Sequence, residues 1–113
     1  MLLTKEGKHR LLLKMAQKDL NGYLIAIGSG TTPPTEEDVS LENELYNKKP
    51  EYIEIVDNVL YISAFFDTTY IGEINEIGLL DAKDNMLIAR EVLNSPLIKN
   101  DDNTLTIDLQ III

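Results

Sequence analysis

The chain has 113 residues, 44% of them apolar and 26% charged, enough for one domain with its own core and too apolar for a disordered polyanion. It has no cysteine and one histidine, His9, which excludes disulfides and thiolate chemistry and argues against His-based metal or acid–base centres. The net charge is −9, but residues 1–22 carry five basic against two acidic side chains, so the rest of the chain is strongly acidic and a poor match for nucleic acid.

No apolar run approaches the roughly eighteen residues of a membrane span, and charges follow Met1-Leu2-Leu3 at once. Neither membrane insertion nor a secretory apolar region is expected. Residues 1–22 predict a helix, with Thr4 as N-cap, Glu6 in the first turn and Asn21-Gly22 as the stop. On a helical wheel, Leu11, Leu12, Leu13, Met15, Ala16 and Leu20 cover an arc of about 200°, more than one packed face requires. Arg10, Lys14, Gln17 and Lys18 share the remaining arc, and His9 reads as a partly buried structural residue.

Residues 23–50 predict a strand, a loop and a second, short helix. Tyr23 to Ile27 is the strand, ended by Gly28-Ser29-Gly30, and Thr31-Thr32-Pro33-Pro34 is barred from regular structure by its prolines. Thr35 then caps a helix through Glu36, Glu37 and Asp38 to about Tyr46. From residue 51 to 113 the apolar period becomes two. Strands are expected at Tyr52–Val56, Val59–Phe66, Ile74–Leu80 and Met86–Leu93, the last broken before Pro96. Leu105, Ile107, Leu109, Ile111 and Ile113 form one face of a final strand. The expected fold is α+β: a single domain with an antiparallel β-sandwich, an N-terminal helix and a short second helix.

Little in this pattern offers catalytic chemistry. Gly28-Ser29-Gly30 lacks both the lysine of a phosphate loop and the spacing of a nucleophile elbow. Asp81, Asp84 and Asn85, like Asp101, Asp102 and Asn103, read as turn formers and lack a spaced calcium-ligand series. Glu73 and Glu76, three apart in a strand, point to opposite faces and cannot work as a glycosidase pair. No catalytic residue, metal or cofactor is expected, and no enzyme activity.

Six segments together resemble a known family. Leu3-Thr4-Lys5-Glu6-Gly7 opens the helix, and Ile25-Ala26-Ile27-Gly28-Ser29-Gly30 ends a strand before a proline-bearing loop. Leu41-Glu42-Asn43-Glu44, Ile74-Asn75-Glu76-Ile77-Gly78-Leu79-Leu80-Asp81 and Leu87-Ile88-Ala89-Arg90 follow, with Pro96-Leu97-Ile98-Lys99 after them. In this order they resemble the N-terminal, particle-attachment region of phage tail-collar fibre proteins. The resemblance implies a structural protein of a phage tail or tail-like contractile particle, assembled in the cytoplasm of a bacterial host. Its partners would be copies of itself and other tail, baseplate or fibre proteins. Since the sequence stops at Ile113 without a shaft or tip, an adaptor or collar protein is expected rather than a cell-contacting fibre.

The expected contact residues are Arg10, Leu11, Leu12, Lys14, Met15 and Lys18 on the helix, and Gly28, Ser29, Gly30, Pro33 and Pro34 in the loop. Glu36, Glu37 and Asp38 would receive the basic helix of a neighbouring copy. The alternative is a carbohydrate- or receptor-binding sandwich using Tyr52, Tyr61 and Tyr70.

Overall fold

In the computed structural model, which describes residues 1–17 and 21–112, the chain forms two antiparallel sheets and one helix. In chain order the elements are β1 (Leu2–Leu3), α1 (Lys5–Ala16), β2 (Tyr23–Gly28), β3 (Glu44–Lys48), β4 (Tyr52–Val56), β5 (Val59–Phe66), β6 (Gly72–Asp81), β7 (Leu87–Lys99) and β8 (Leu105–Ile112). The larger sheet runs β1-β7-β6-β2-β3 and the smaller β4-β5-β8. Tyr23, Ile25, Ile27 and Leu79 from the first meet Leu60, Ile62, Phe66, Ile107, Leu109 and Ile111 from the second, giving a sandwich-like core. No helix among the described residues is long and apolar enough to cross a membrane.

The helix is shorter than the apolar run suggests. Thr4 caps it, accepting the Gly7 N–H at 2.8 Å, and the Gln17 N–H closes it on the Leu13 carbonyl at 3.1 Å. Leu2 and Leu3 instead form β1, opposite Arg90 and Ala89. Only part of the wide apolar arc faces the core. Leu11 is 1% exposed and Met15 is half-buried, whereas Leu12 and Leu13 are about half exposed. His9, expected to be partly buried, lies on the exposed side. Lys18 and Leu20 lie outside the described residues.

The expected second helix does not form. Thr35 and Asp38 close a single turn, in which the Thr35 N–H donates to the Asp38 carboxylate at 3.0 Å and the Asp38 N–H to the Thr35 carbonyl at 3.2 Å. Glu44–Lys48 then pairs with β2, setting Ile25 opposite Lys48 and Ile27 opposite Tyr46. A helix there would bond its own N–H groups. The chain instead gives the Glu42 and Asn43 N–H groups to a buried carboxylate and the rest to a sheet edge. Tertiary partners override local propensity here.

Pro96 does not end its strand either. β7 continues to Lys99, but its register on β6 jumps from Glu76–Val92 to Ile74–Leu97, which leaves Leu93 to Pro96 bulged out of the ladder. A bulge is one of the few sheet positions that tolerates a missing donor. The turn residues act as expected: Asp57, between β4 and β5, and Asn85, before β7, have φ of 56° and 63°. β5 is central in its sheet, though its outer face keeps Phe65 44% exposed.

Candidate docking site

The Gly28–Asp38 segment crosses the face of the larger sheet that points away from the smaller one. Its position is set by Glu76, which sits mid-strand in β6 and is fully buried. One carboxylate oxygen accepts the Gly30 N–H at 2.7 Å and the Asn43 N–H at 2.8 Å. The other accepts the Glu42 N–H and the Arg90 Nε–H, both at 2.9 Å. Arg90, on the neighbouring strand β7 and 3% exposed, also donates to the Thr32 carbonyl at 2.9 Å and to the Asp38 carboxylate at 3.3 Å. One buried ion pair thus fastens both ends of a fifteen-residue crossing between β2 and β3.

Secondary bonds tighten this clamp. The Glu42 carboxylate accepts the Thr31 N–H at 3.0 Å and the Thr32 hydroxyl, and the Asn75 amide donates to the Ser29 carbonyl at 3.2 Å. Leu41 is the apolar anchor, packed with Ala26, Leu80 and Leu87. Burial pushes the Glu76 carboxyl up, but the bonds from Asn43, Arg90, Glu42 and Gly30 outweigh it and hold it below the usual glutamate value. Asp38 is also held low, first by the Thr35 N–H. What remains exposed is Thr31, Thr32, Pro33, Thr35, Glu36 and Glu37, with Pro34 half-buried. Gly28 and Gly30 are buried and Ser29 is half-buried, so these three position the loop instead of presenting a surface.

A second polar cluster fixes the helix. Asp81, at the end of β6, accepts Arg10 at 3.1 Å and Lys14 at 3.0 Å. Arg10 also bonds Glu6 at 3.0 Å and Asp84 at 2.6 Å, and Lys14 lies 5.3 Å from the centre of the Tyr23 ring. Burial raises the Asp81 carboxyl, but the Lys83 N–H, Lys14 and Arg10 more than compensate, leaving it low. Arg10 and Lys14 are therefore satisfied within the chain. In the acidic cluster Glu37 pairs with Lys5 at 2.5 Å and Asp38 with Arg90, and the Glu36 backbone carbonyl accepts the Lys5 N–H at 2.9 Å. Arg10 and Lys14 thus pair with Glu6, Asp81 and Asp84 of their own chain and not with the Glu36-Glu37-Asp38 cluster, which meets Lys5 and Arg90 instead. Leu11 belongs to the core, which leaves Leu12 as the exposed apolar member of the expected helix contact, with Met15 half-buried.

Sequence reading missed Glu76, Arg90, Asp81 and Lys5 as organising residues. A signal was present: a glutamate and an arginine, each embedded in an apolar strand, are buried only when paired. Among the described residues, no three His, Cys, Asp or Glu side chains lie close enough together to hold a metal ion. Asp81 and Asn103 instead accept turn N–H groups, those of Lys83 at 3.0 Å and Asn100 at 2.9 Å. The chain matches no family model and no curated protein.

Proposed function

We propose that this chain is a non-enzymatic structural component of a phage tail or tail-like particle, an adaptor or collar/baseplate protein that attaches fibres by docking. The observation that carries the reading is the clamped loop. Thr31 to Glu37 is displayed outward while the backbone around it is bonded to Glu76 and Arg90. A loop already held in one shape loses little conformational entropy when a partner binds, which suits assembly from many copies.

The segments behind the family resemblance also meet one another in space. Thr4 and Gly7 of the first touch Ile88 of the fifth, Gly30 and Asn43 share one oxygen of Glu76, and Arg90 bonds the other. These residues build a scaffold rather than a reaction centre. The carbohydrate-binding alternative has less to stand on. Tyr70 packs edge-on between Tyr46 and Phe66, Tyr61 is half-buried, and Tyr52 is the exposed member of the expected three.

The test is to sediment particles from a lysed source culture and label them with an antibody to this chain. Co-sedimentation with label at one end of the tail is expected, and its incorporation should fall when Pro33-Pro34 is replaced by Gly-Gly. A chain that stays in the supernatant while particles pellet would refute the reading.

A further inference from the structure

Sheet edges are where one chain pairs with another, and most edges of this fold are blunted. β1 has two residues. Beyond β1, the outer side of β7 carries the Leu93–Pro96 bulge. β3 has five residues, a register shift at its Gly28 end, and Lys49-Pro50 after it. β4 also has five, with Glu54 at its middle. β8 differs. Its eight residues contain no proline, glycine or lysine and no bulge, and among the described residues β5 is its one hydrogen-bonded strand neighbour.

We propose that β8 pairs antiparallel with β8 of a second copy, joining two three-stranded sheets into one six-stranded sheet across a twofold axis at Leu109. The inference stands on the sheet edge and is independent of the particle reading. The occupant follows from the self-complementarity of the strand. Leu105, Ile107, Leu109 and Ile111 face the core, and Thr106, Asp108, Gln110 and Ile112 face out. Opposite residues in an antiparallel pair share a face, so a register that pairs all eight residues would set core positions against surface ones and is excluded. Two registers keep seven pairs with the faces matched. Centring on Asp108 sets two carboxylates against each other. Centring on Leu109 sets Asp108 opposite Gln110, Ile107 opposite Ile111 and Thr106 opposite Ile112, with no like charges.

The surroundings favour the same register. Ile112 is 72% exposed and borders an apolar hollow of about 500 Å³ lined also by Leu2, Leu3, Leu11 and Leu12. Pairing centred on Leu109 carries the second strand up to Ile112 and covers it. The Asp108 carboxylate, which already accepts the Ser63 hydroxyl, keeps a free oxygen for the Gln110 amide of the second copy.

Sedimentation of the full chain should show a dimer at about 100 µM. Gln110→Asp places like charges opposite each other twice and should weaken it by roughly tenfold, whereas Gln110→Lys should preserve or tighten it. Both changes lie on the exposed face, and circular dichroism checks that each variant is folded. The chain has no cysteine, so register can be read directly: mixing Asp108→Cys with Gln110→Cys under oxidation should give a 108–110 disulfide by mass. A monomer at that concentration would overturn the proposal. So would a dimer indifferent to Gln110→Asp, or one whose disulfides join only 108 to 108.

Discussion

Replacing Glu76 by Gln removes one charge and almost no volume, so it isolates what the buried carboxylate does. In the native chain its two oxygens each accept two bonds, from Gly30 and Asn43 and from Glu42 and Arg90. A glutamine turns one oxygen into an NH2 group that faces two donors. Two charge-assisted bonds are lost whichever way the amide is turned, and Arg90 keeps only Asp38 as a counter-ion. Losing one partner of a buried pair costs about 3–5 kcal/mol, a large share of the roughly 5–15 kcal/mol that holds a domain of this size. The apolar double replacement Glu76→Leu with Arg90→Met should recover little of this. It removes both charges but leaves the Gly30, Glu42 and Asn43 N–H groups without their acceptor.

Urea unfolding gives the free energy, and amide hydrogen exchange at Gly30, Glu42 and Asn43 shows whether the loop has come loose. The pH dependence supplies a further check. The Glu76 pKa is lowered on folding, so its contribution is complete above the unfolded value of about 4.3 and is lost as pH falls through the lower folded value. Asp38 and Asp81 add to the same acid limb with the same sign. Glu76→Gln should flatten that limb. A cost under about 1 kcal/mol, or unchanged protection of the three amides, would refute the clamp.

Four further substitutions test the helix. Alanine in place of an internal helical glycine ordinarily stabilises by about 1 kcal/mol, but at Gly7 the new Cβ would lie 2.0 Å from the Ile88 carbonyl oxygen. Gly7→Ala should therefore destabilise by about 1–3 kcal/mol in thermal or urea unfolding. Leu11→Ala should cost about 2–5 kcal/mol, whereas Leu12→Ser and Leu13→Ser should stay within about 0.5 kcal/mol. Equal effects at Leu11 and Leu12 would mean that the helix is rotated from the orientation described.

The parts of this fold that sequence foretells are those in which a local rule and the tertiary structure agree. β8 alternates cleanly, Asp57-Asn58 makes its turn between β4 and β5, and Thr4 caps its helix, because each choice involves residues close in the chain. The failures share one cause. Glu36-Glu37-Asp38 has the charge of a helix start, yet its neighbours Glu42 and Asn43 are captured by a residue more than thirty positions away. Pro96 has the chemistry of a strand end, yet a bulge opposite β6 absorbs it. The helical wheel gave the apolar arc but not which third of it meets Ile88 and Ala89, so Leu11 and Leu12 looked equivalent. Thr31 to Pro33 of the candidate loop were legible from the prolines as an irregular, exposed connector, whereas Gly28 and Gly30 are buried. What holds it was not: a charge embedded in an apolar strand signals that it needs a partner, but not which partner until the strands are placed side by side.

Once they are, a single strand accounts for how both elements outside the sheets are held. Glu76 and Asp81, five positions apart in β6, emerge at different points along the larger sheet. Glu76 fixes the Gly28–Asn43 crossing, and Asp81 fixes α1 through Arg10 and Lys14. Between them Gly78 sits opposite Arg90 on β7, and a Cβ there would come within 2.7 Å of Leu41, the loop's apolar anchor. The run Ile74-Asn75-Glu76-Ile77-Gly78-Leu79-Leu80-Asp81 therefore reads physically. Its carboxylates hold the loop and the helix, its glycine admits the anchor, and Ile74, Ile77 and Leu79 fill the space between the sheets. Because the loop has only one deeply buried apolar anchor, its shape depends on buried hydrogen bonds more than on apolar area. A loop held in that way keeps polar and proline-rich residues outward without collapsing onto its own core, as Thr31 to Glu37 do, and the proposed docking draws on this property.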